Sequence, residues 1–280
     1  MSNSFGERLR TAVDESGRLC VGIDPHAYLL KDWGLADTAE GVRELSLRVI
    51  DAIGDAAAVI KPQVAFFERH GAAGYAVLEE VLATAREAGL LVIADAKRGD
   101  VGTSVEAYGQ AWLTPGSPLE ADALTVSAFQ GVASLASVLD LAAREGKGLF
   151  VLAATSNPES RVIQQSLTAE GRSVAATITD DVARWNTVST PDAAWGSVGL
   201  VLGATVSLRD YGIDPSELAG TPVLAPGFGH QGAKIAELQT IFGAVAPSVL
   251  VNASRSILSA GPDGVARAIR GHAEEIAAAL

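Results

Sequence analysis

The chain has 280 residues, of which 48% are hydrophobic and 19% charged, with 29 glycines. That composition supports a large buried core and fits neither a disordered segment nor a collagen-like repeat. A formal net charge of −12 argues against a nucleic-acid-binding chain, because phosphate neutralisation needs a basic face, while the length leaves open one large α/β barrel or two smaller domains.

Glu7, Arg8, Arg10, Asp14 and Glu15 interrupt the first residues, so no signal-peptide core is expected there. The first strand candidate, residues 19–24, holds the single cysteine, Cys20. With no partner in the chain it reads as a buried structural thiol suited to a reducing cytoplasm. Val42, Leu45, Val49 and Ile53 recur at helical period ahead of a second strand at 58–63, and Leu78, Val81, Leu82 and Ala85 do the same ahead of a third at 90–97. Further strands are expected at 123–127, 148–155, 198–205, 222–227 and 248–254, with a last helix carried by Val265, Ile269, Ile276 and Leu280. The strands are almost continuously apolar, as in a parallel sheet covered on both faces. Uncharged stretches such as 238–254 contain Gly, Pro and Ser and make poor membrane spans, so a soluble cytoplasmic protein with no membrane or nucleic-acid partner is expected.

Strands alternating with helices in this number predict a single-domain (β/α)8 TIM barrel over residues 1–280. A doubly wound open sheet would also alternate, but Gly22-Ile23-Asp24-Pro25-His26 is not the glycine-rich phosphate turn expected after its first strand. One connection, 157–197, is longer than the rest and rich in Ser, Thr, Asn and Gln; Val174, Ile178, Val182 and Trp185 predict a helix within it. An insertion after a barrel strand overhangs the mouth, so this segment reads either as a lid or as a decorated surface loop.

In a barrel the chemistry sits where strands end. Those ends carry Asp24, Lys61, Asp95 with Lys97, Ser127, Ser156, Gly227 and Arg255. One charge at a strand end is usually a solvated edge. Several together must compensate one another, because isolated charges in a low-dielectric interior are expensive. Asp95 and Lys97 are two apart, hence on one side of a strand, and Asp100 follows. Two of the five lysines, Lys61 and Lys97, thus fall in an acidic array that keeps them protonated, favouring a proton donor over a free-amine nucleophile. Glycines in 226–232 and Arg255 after the eighth strand suit a phosphate group. His26, His70, His230 and His272 are scattered, with no metal-ligand spacing, and Arg98 reads as a structural or rim charge.

The blocks Gly22-Ile23-Asp24-Pro25, Ile60-Lys61-Pro62-Gln63, Asp95-Ala96-Lys97-Arg98-Gly99-Asp100, Thr155-Ser156-Asn157-Pro158, the run from Pro226 to Gly232 and Asn252-Ala253-Ser254-Arg255 together resemble the orotidine 5′-phosphate decarboxylases, in their longer bacterial form. The resemblance implies decarboxylation of orotidine 5′-monophosphate to uridine 5′-monophosphate in pyrimidine biosynthesis, with no metal and no cofactor. It implies that Asp24 and Lys61 contact the ribose, that Asp95 lies beside the departing carboxylate, and that Lys97 stabilises the C6 carbanion and protonates it. It further implies a homodimer in which Asp100 and Ser104 reach the neighbouring site, a pyrimidine contact at Ser156, and phosphate contacts at Gln231 and Arg255. Three positions depart from the pattern: Ser127-Ala128-Phe129 replaces a frequent Asn-Pro, Ser104 a Thr, and Ser254 a Gly that would allow close backbone approach. A magnesium-dependent sugar-phosphate decarboxylase or aldolase of the same superfamily shares D-x-K-x-x-D, but such relatives tend to carry an acidic residue where this chain has Lys61. A non-catalytic phosphate-binding barrel would be expected to lack Asp95, Lys97 or Asp100.

Overall fold

The computed structural model describes residues 4–280. Its eight strands are β1 (Leu19–Ile23), β2 (Val59–Pro62), β3 (Leu91–Arg98), β4 (Ala123–Ser127), β5 (Gly148–Ala154), β6 (Val198–Leu202), β7 (Val223–Pro226) and β8 (Val249–Ala253). Each pairs in parallel with the next and β8 returns to β1, closing a barrel in sequence order. All eight lie within the runs expected from apolar patterning or one residue outside them. The largest disagreement is at β6, which stops at Leu202: Gly203 still donates to the Ala154 carbonyl on β5 at 2.8 Å, and a turn at 204–205 follows it.

Because side chains alternate across a strand, each strand feeds two cores. Val21, Ile60, Val92, Leu124, Leu149 and Leu200 face outward and join the helices in the larger hydrophobic cluster. The helix Ala39–Ile53 buries Val42, Leu45, Val49 and Ile53 there, and Gly71–Glu87 buries Leu78, Val81, Leu82 and Ala85, as their spacing requires. In Val265–Ala278 the buried set is Val265, Ile269 and Ile276; Leu280 lies past the helix end, exposed. No helix among the described residues is long and apolar enough to cross a membrane.

The inward row at the N-terminal end of the barrel is wholly apolar: Cys20, Val59, Ile93, Ala123, Phe150, Val201, Leu224 and Leu250. The helix Phe5–Ser16 plugs it. Its stripe of Phe5, Leu9 and Val13 packs into the barrel floor, and a capping box between Ser4 and Glu7 starts it. Phe5 meets Phe150 edge to face at 6.2 Å. Two glycines make that packing possible: a Cβ on Gly148 would stand 2.1 Å from the Phe5 ring, and one on Gly199 2.5 Å from Phe150. At the floor's rim Arg8 donates to Asp122 at 2.7 Å and to the Gly146 carbonyl at 2.9 Å.

Within 157–197 the helix Val174–Ser189 forms as predicted, burying Ile178 and Val182. Its upstream flank, where no element was predicted, contains a short helix, Arg161–Gln164, and an isolated bridge between Leu167 and Ser173.

Candidate active site

Two residues further along the same strands, the inward row changes character. Val59 is succeeded by Lys61, Ile93 by Asp95, Ala123 by Thr125 and Leu250 by Asn252. These open onto a cavity of about 810 Å³ at the C-terminal mouth, lined also by Asp24, Lys97, Ser156 and Gln231. Asp95 is its centre. One carboxylate oxygen accepts from Lys61 Nζ at 2.7 Å and Gln63 Nε2 at 2.9 Å; the other accepts from Lys97 Nζ at 2.5 Å and Thr125 Oγ1 at 3.0 Å. Lys61 Nζ also stands 3.8 Å from Asp24 Oδ1.

The electrostatics follow from this geometry. Burial raises the proton affinity of Asp95, but the Lys61 and Lys97 ammonium groups outweigh it and hold the carboxyl well below the usual carboxylate range. Burial works in the opposite sense on Lys61, pulling the ammonium down, and there Asp95 and Asp24 prevail and hold it above the ordinary lysine value. Lys61 and Asp95 are 4% and 7% exposed, so neither could stay charged without the other. Cys20 is a buried thiol pushed up to about 12, chiefly by burial, and it does not line the cavity.

Lys97 differs from Lys61 in being open to the cavity, with 44% of its side chain accessible. It is also the only non-glycine with positive φ among the described residues, at 48°, a conformation costing about 1–2 kcal/mol for an L-residue. Such a cost persists only where surroundings enforce it, and sites of chemistry are where it concentrates.

Around this centre, Ser156 Oγ donates to Gln231 Oε1 at 3.2 Å, joining the ends of β5 and β7. Asp24 and Asn252 line the cavity, and each has a buried oxygen, Oδ1, that accepts no hydrogen bond; the Lys61 ammonium at 3.8 Å is the charge nearest Asp24 Oδ1. Arg255 begins a short helix directly after β8 and does not line the cavity itself. It lies near enough to His26 to depress that imidazole, although burial is the larger cause and Asp24 opposes both. His26 otherwise packs on Phe66 at 4.2 Å and Tyr28 at 5.3 Å. Ser254 is tolerated where glycine is frequent because Gly22 on β1 vacates the space; a Cβ there would meet Ser254 Cβ at 2.7 Å. Ser127, Ala128 and Phe129 line the mouth despite departing from the family pattern.

Asp100 and Ser104 stand apart. The alternating array drawn from sequence included Asp100, but within one chain its second aspartate is Asp24. β3 ends at Arg98, and Asp100 turns to accept the Val101 N–H at 2.8 Å. Ser104 lies exposed in the first turn of the helix Gly102–Leu113. Arg98 sits at the rim, near Glu68 at 3.4 Å and Tyr75 at 3.3 Å, with its guanidinium over Tyr108. Sequence reasoning gave no role to Gln63, Thr125 or Asn252. The signal was present: each is a polar residue at the inward register of a greasy strand end, two past an apolar inward residue or immediately after Lys61-Pro62.

A closed eight-stranded parallel barrel with a Lys-Asp-Lys array and a glycine-rich seventh loop at its mouth defines an enzyme scaffold built to hold a small anionic molecule. The sequence matches the family described as orotidine 5′-phosphate decarboxylase / HUMPS over residues 17–269, and the chain belongs to that family. An orotidine 5′-phosphate decarboxylase of Salinispora tropica is 50% identical over 277 residues, covering 98% of this chain and 96% of the relative. One from Corynebacterium efficiens is 47% identical over 94% of this chain and 92% of its own. The crystal structure of a Streptomyces avermitilis protein named for the same activity superposes with a TM-score of 0.93 at 47% identity, covering 99% of this chain and 96% of that one.

Proposed function

We infer that the chain decarboxylates orotidine 5′-monophosphate to uridine 5′-monophosphate, and that the Lys61-Asp95-Lys97 array performs the reaction without a metal. The observation carrying this reading is the saturated Asp95 carboxylate, gripped by a buried ammonium on one oxygen and a cavity-facing ammonium on the other. Breaking the C6–carboxylate bond leaves an electron pair in the plane of the ring, where no π-system can spread it, so stabilisation needs a preoriented cation beside C6. Lys97 supplies that cation. As carbon dioxide departs, the pair at C6 takes a proton from Lys97 Nζ, and the resulting amine regains a proton from water. Asp95 lies beside the substrate carboxylate and holds Lys97 in place.

Remote groups complete the fit. Asp24 and Asn252, cavity-lining residues with acceptor oxygens not used up in hydrogen bonds, suit ribose hydroxyls, which bring hydrogens. Gln231 and Arg255 suit the phosphate and Ser156 the pyrimidine, and their binding energy can be used to fix the ring against Lys97. The segment 157–197 acts as a lid on one domain of 1–280, a reading supported by its contribution of Asn157, Ser160, Ile163 and Gln164 to the cavity wall. Gln164 already clips it to the end of β5 through Thr155 N–H at 2.9 Å. The magnesium-dependent alternative is disfavoured by Lys61, whose ammonium lies between Asp24 and Asp95 where a cation would need to sit. A cytoplasmic location fits the lone buried thiol.

The site is completed by a second copy of the chain. Asp100 and Ser104 do not line their own cavity, and Val101 and Tyr108 beside them are 55% and 38% exposed, an apolar surface suited to a dimer in which Asp100 and Ser104 cross to the partner's mouth. Loss of orotate-ring absorbance with purified protein in the presence of a chelator tests the reaction; activity abolished by the chelator would support the sugar-phosphate chemistry instead. Mixing inactive Asp100→Ala and Lys97→Ala subunits tests the shared site. Activity should return in the heterodimer, and none after verified exchange would contradict the arrangement.

A further inference from the structure

β3 and β4 fall out of register just where the array sits. Ala94 pairs with Leu124 and the next pair is Arg98 with Val126, so four steps on β3 oppose two on β4. The extra residues must bulge, which takes backbone groups out of the ladder and re-aims the side chains that follow. Lys97 is in that bulge, in its left-handed conformation. Its N–H, which the ladder no longer satisfies, donates to Thr125 Oγ1 at 2.9 Å, and Thr125 Oγ1 lies 3.0 Å from Asp95 Oδ1.

The polarity of this chain of bonds is fixed. A backbone N–H can only donate and an ionised carboxylate can only accept, so the single Thr125 hydrogen goes to Asp95 while its lone pair takes Lys97 N–H. Lys97 Nζ returns to the same Oδ1 at 2.5 Å, closing a ring through Lys97 backbone, Thr125, Asp95 and Lys97 side chain. Thr125 is 1% exposed and its hydroxyl hydrogen is committed, leaving it no hydrogen to offer a substrate. We propose that Thr125 is a positioning residue: its hydroxyl pins the left-handed backbone of Lys97 to the Asp95 carboxylate and thereby aims the Lys97 ammonium at the reacting carbon. The proposal rests on the decarboxylase reading for its consequence in rate, but its structural half stands apart from it.

Thr125→Val removes the hydroxyl at nearly equal volume, and Thr125→Ser keeps it. On orotidine 5′-monophosphate, Val is expected to lower kcat about 10- to 100-fold through a misplaced ammonium, with KM within about threefold, and Ser to restore kcat to within about threefold of the parent. A parental kcat in Val, a loss confined to KM, or a Ser variant as impaired as Val would each overturn the proposal. If Val does not fold, Thr125→Ala carries the same expectations. A crystal structure of the Val or Ala variant reads the positioning role without turnover: Lys97 is expected to leave the left-handed region, and an unchanged φ would count against the role. A parent protein that fails to decarboxylate this substrate would instead sink the functional reading, with the Lys97 backbone still reporting on Thr125.

Discussion

The floor and the mouth of this barrel are built from the same strands and separated by only two residues along each. At the floor, Val59, Ile93, Ala123 and Leu250 point inward onto the plug formed by Phe5, Leu9 and Val13. At the mouth, Lys61, Asp95, Thr125 and Asn252 occupy the next inward register. The floor gains from each apolar contact it makes. The mouth bears the desolvation of two charges, offset by their mutual contact and by the bonds that Lys97, Gln63 and Thr125 make to Asp95. Labour is divided along the barrel axis: stability is concentrated at the end that excludes water, and this allows a costly, prearranged set of charges to be held at the end that opens onto the cavity.

Substitutions at the two ends should therefore separate. The largest effect is expected for Asp95→Ala, which strands Lys61 in the interior: about 3–5 kcal/mol lost in urea unfolding, together with a fall in decarboxylation of about a thousandfold or more. Phe5→Ala should cost a comparable 3–5 kcal/mol or so by opening a cavity at the floor, but leave kcat within about threefold, because nothing in the mouth moves. A kcat collapse in that variant would break the separation.

The smallest effect is expected from pH. Asp95 is depressed on folding, so its stabilisation is fully present above the ordinary carboxylate value near 4 and is lost only as pH falls through its lower folded value. Lys61 is raised, so its stabilisation is fully present below the ordinary lysine value near 10.4 and is lost as pH rises through its higher one. Between about pH 5 and 9 the array should contribute a constant amount. The Asp95 carboxyl carbon signal in NMR should stay flat over that span, and a midpoint within it would contradict the assigned charge state.

The barrel was legible because its strands are greasy on both faces and its helices repeat at a helical period. The charged array was legible for a related reason, since Lys61, Asp95 and Lys97 interrupt otherwise apolar runs. The array's exact membership was not. Asp100 is close to Asp95 in sequence, but it lies past the end of β3 and outside the cavity lining, whereas Asp24 comes close only when the barrel closes β1 beside β2. Thr125 was legible only as a polar residue at an inward strand end, and its tie to Lys97 was hidden for a similar reason. A threonine in a strand is ordinary, and its importance arises from a bulge on the neighbouring strand, which depends on pairing and cannot be read from either strand alone. The floor plug was missed because Phe5–Ser16 carries an apolar stripe too sparse to stand out, and it depends on glycines at 148 and 199 to seat it.

In this barrel the cavity-facing ammonium of Lys97 is proposed to do the chemistry while the rest of the array holds it. The most direct measurement is the rate of orotate-ring absorbance loss for Lys97→Ala against the parent, in chelator, with the unfolding midpoint of each recorded. The expected result is a fall of at least about a thousandfold with little change in the midpoint, since Lys97 is the exposed member of the array. A variant that keeps its rate to within about tenfold would contradict it.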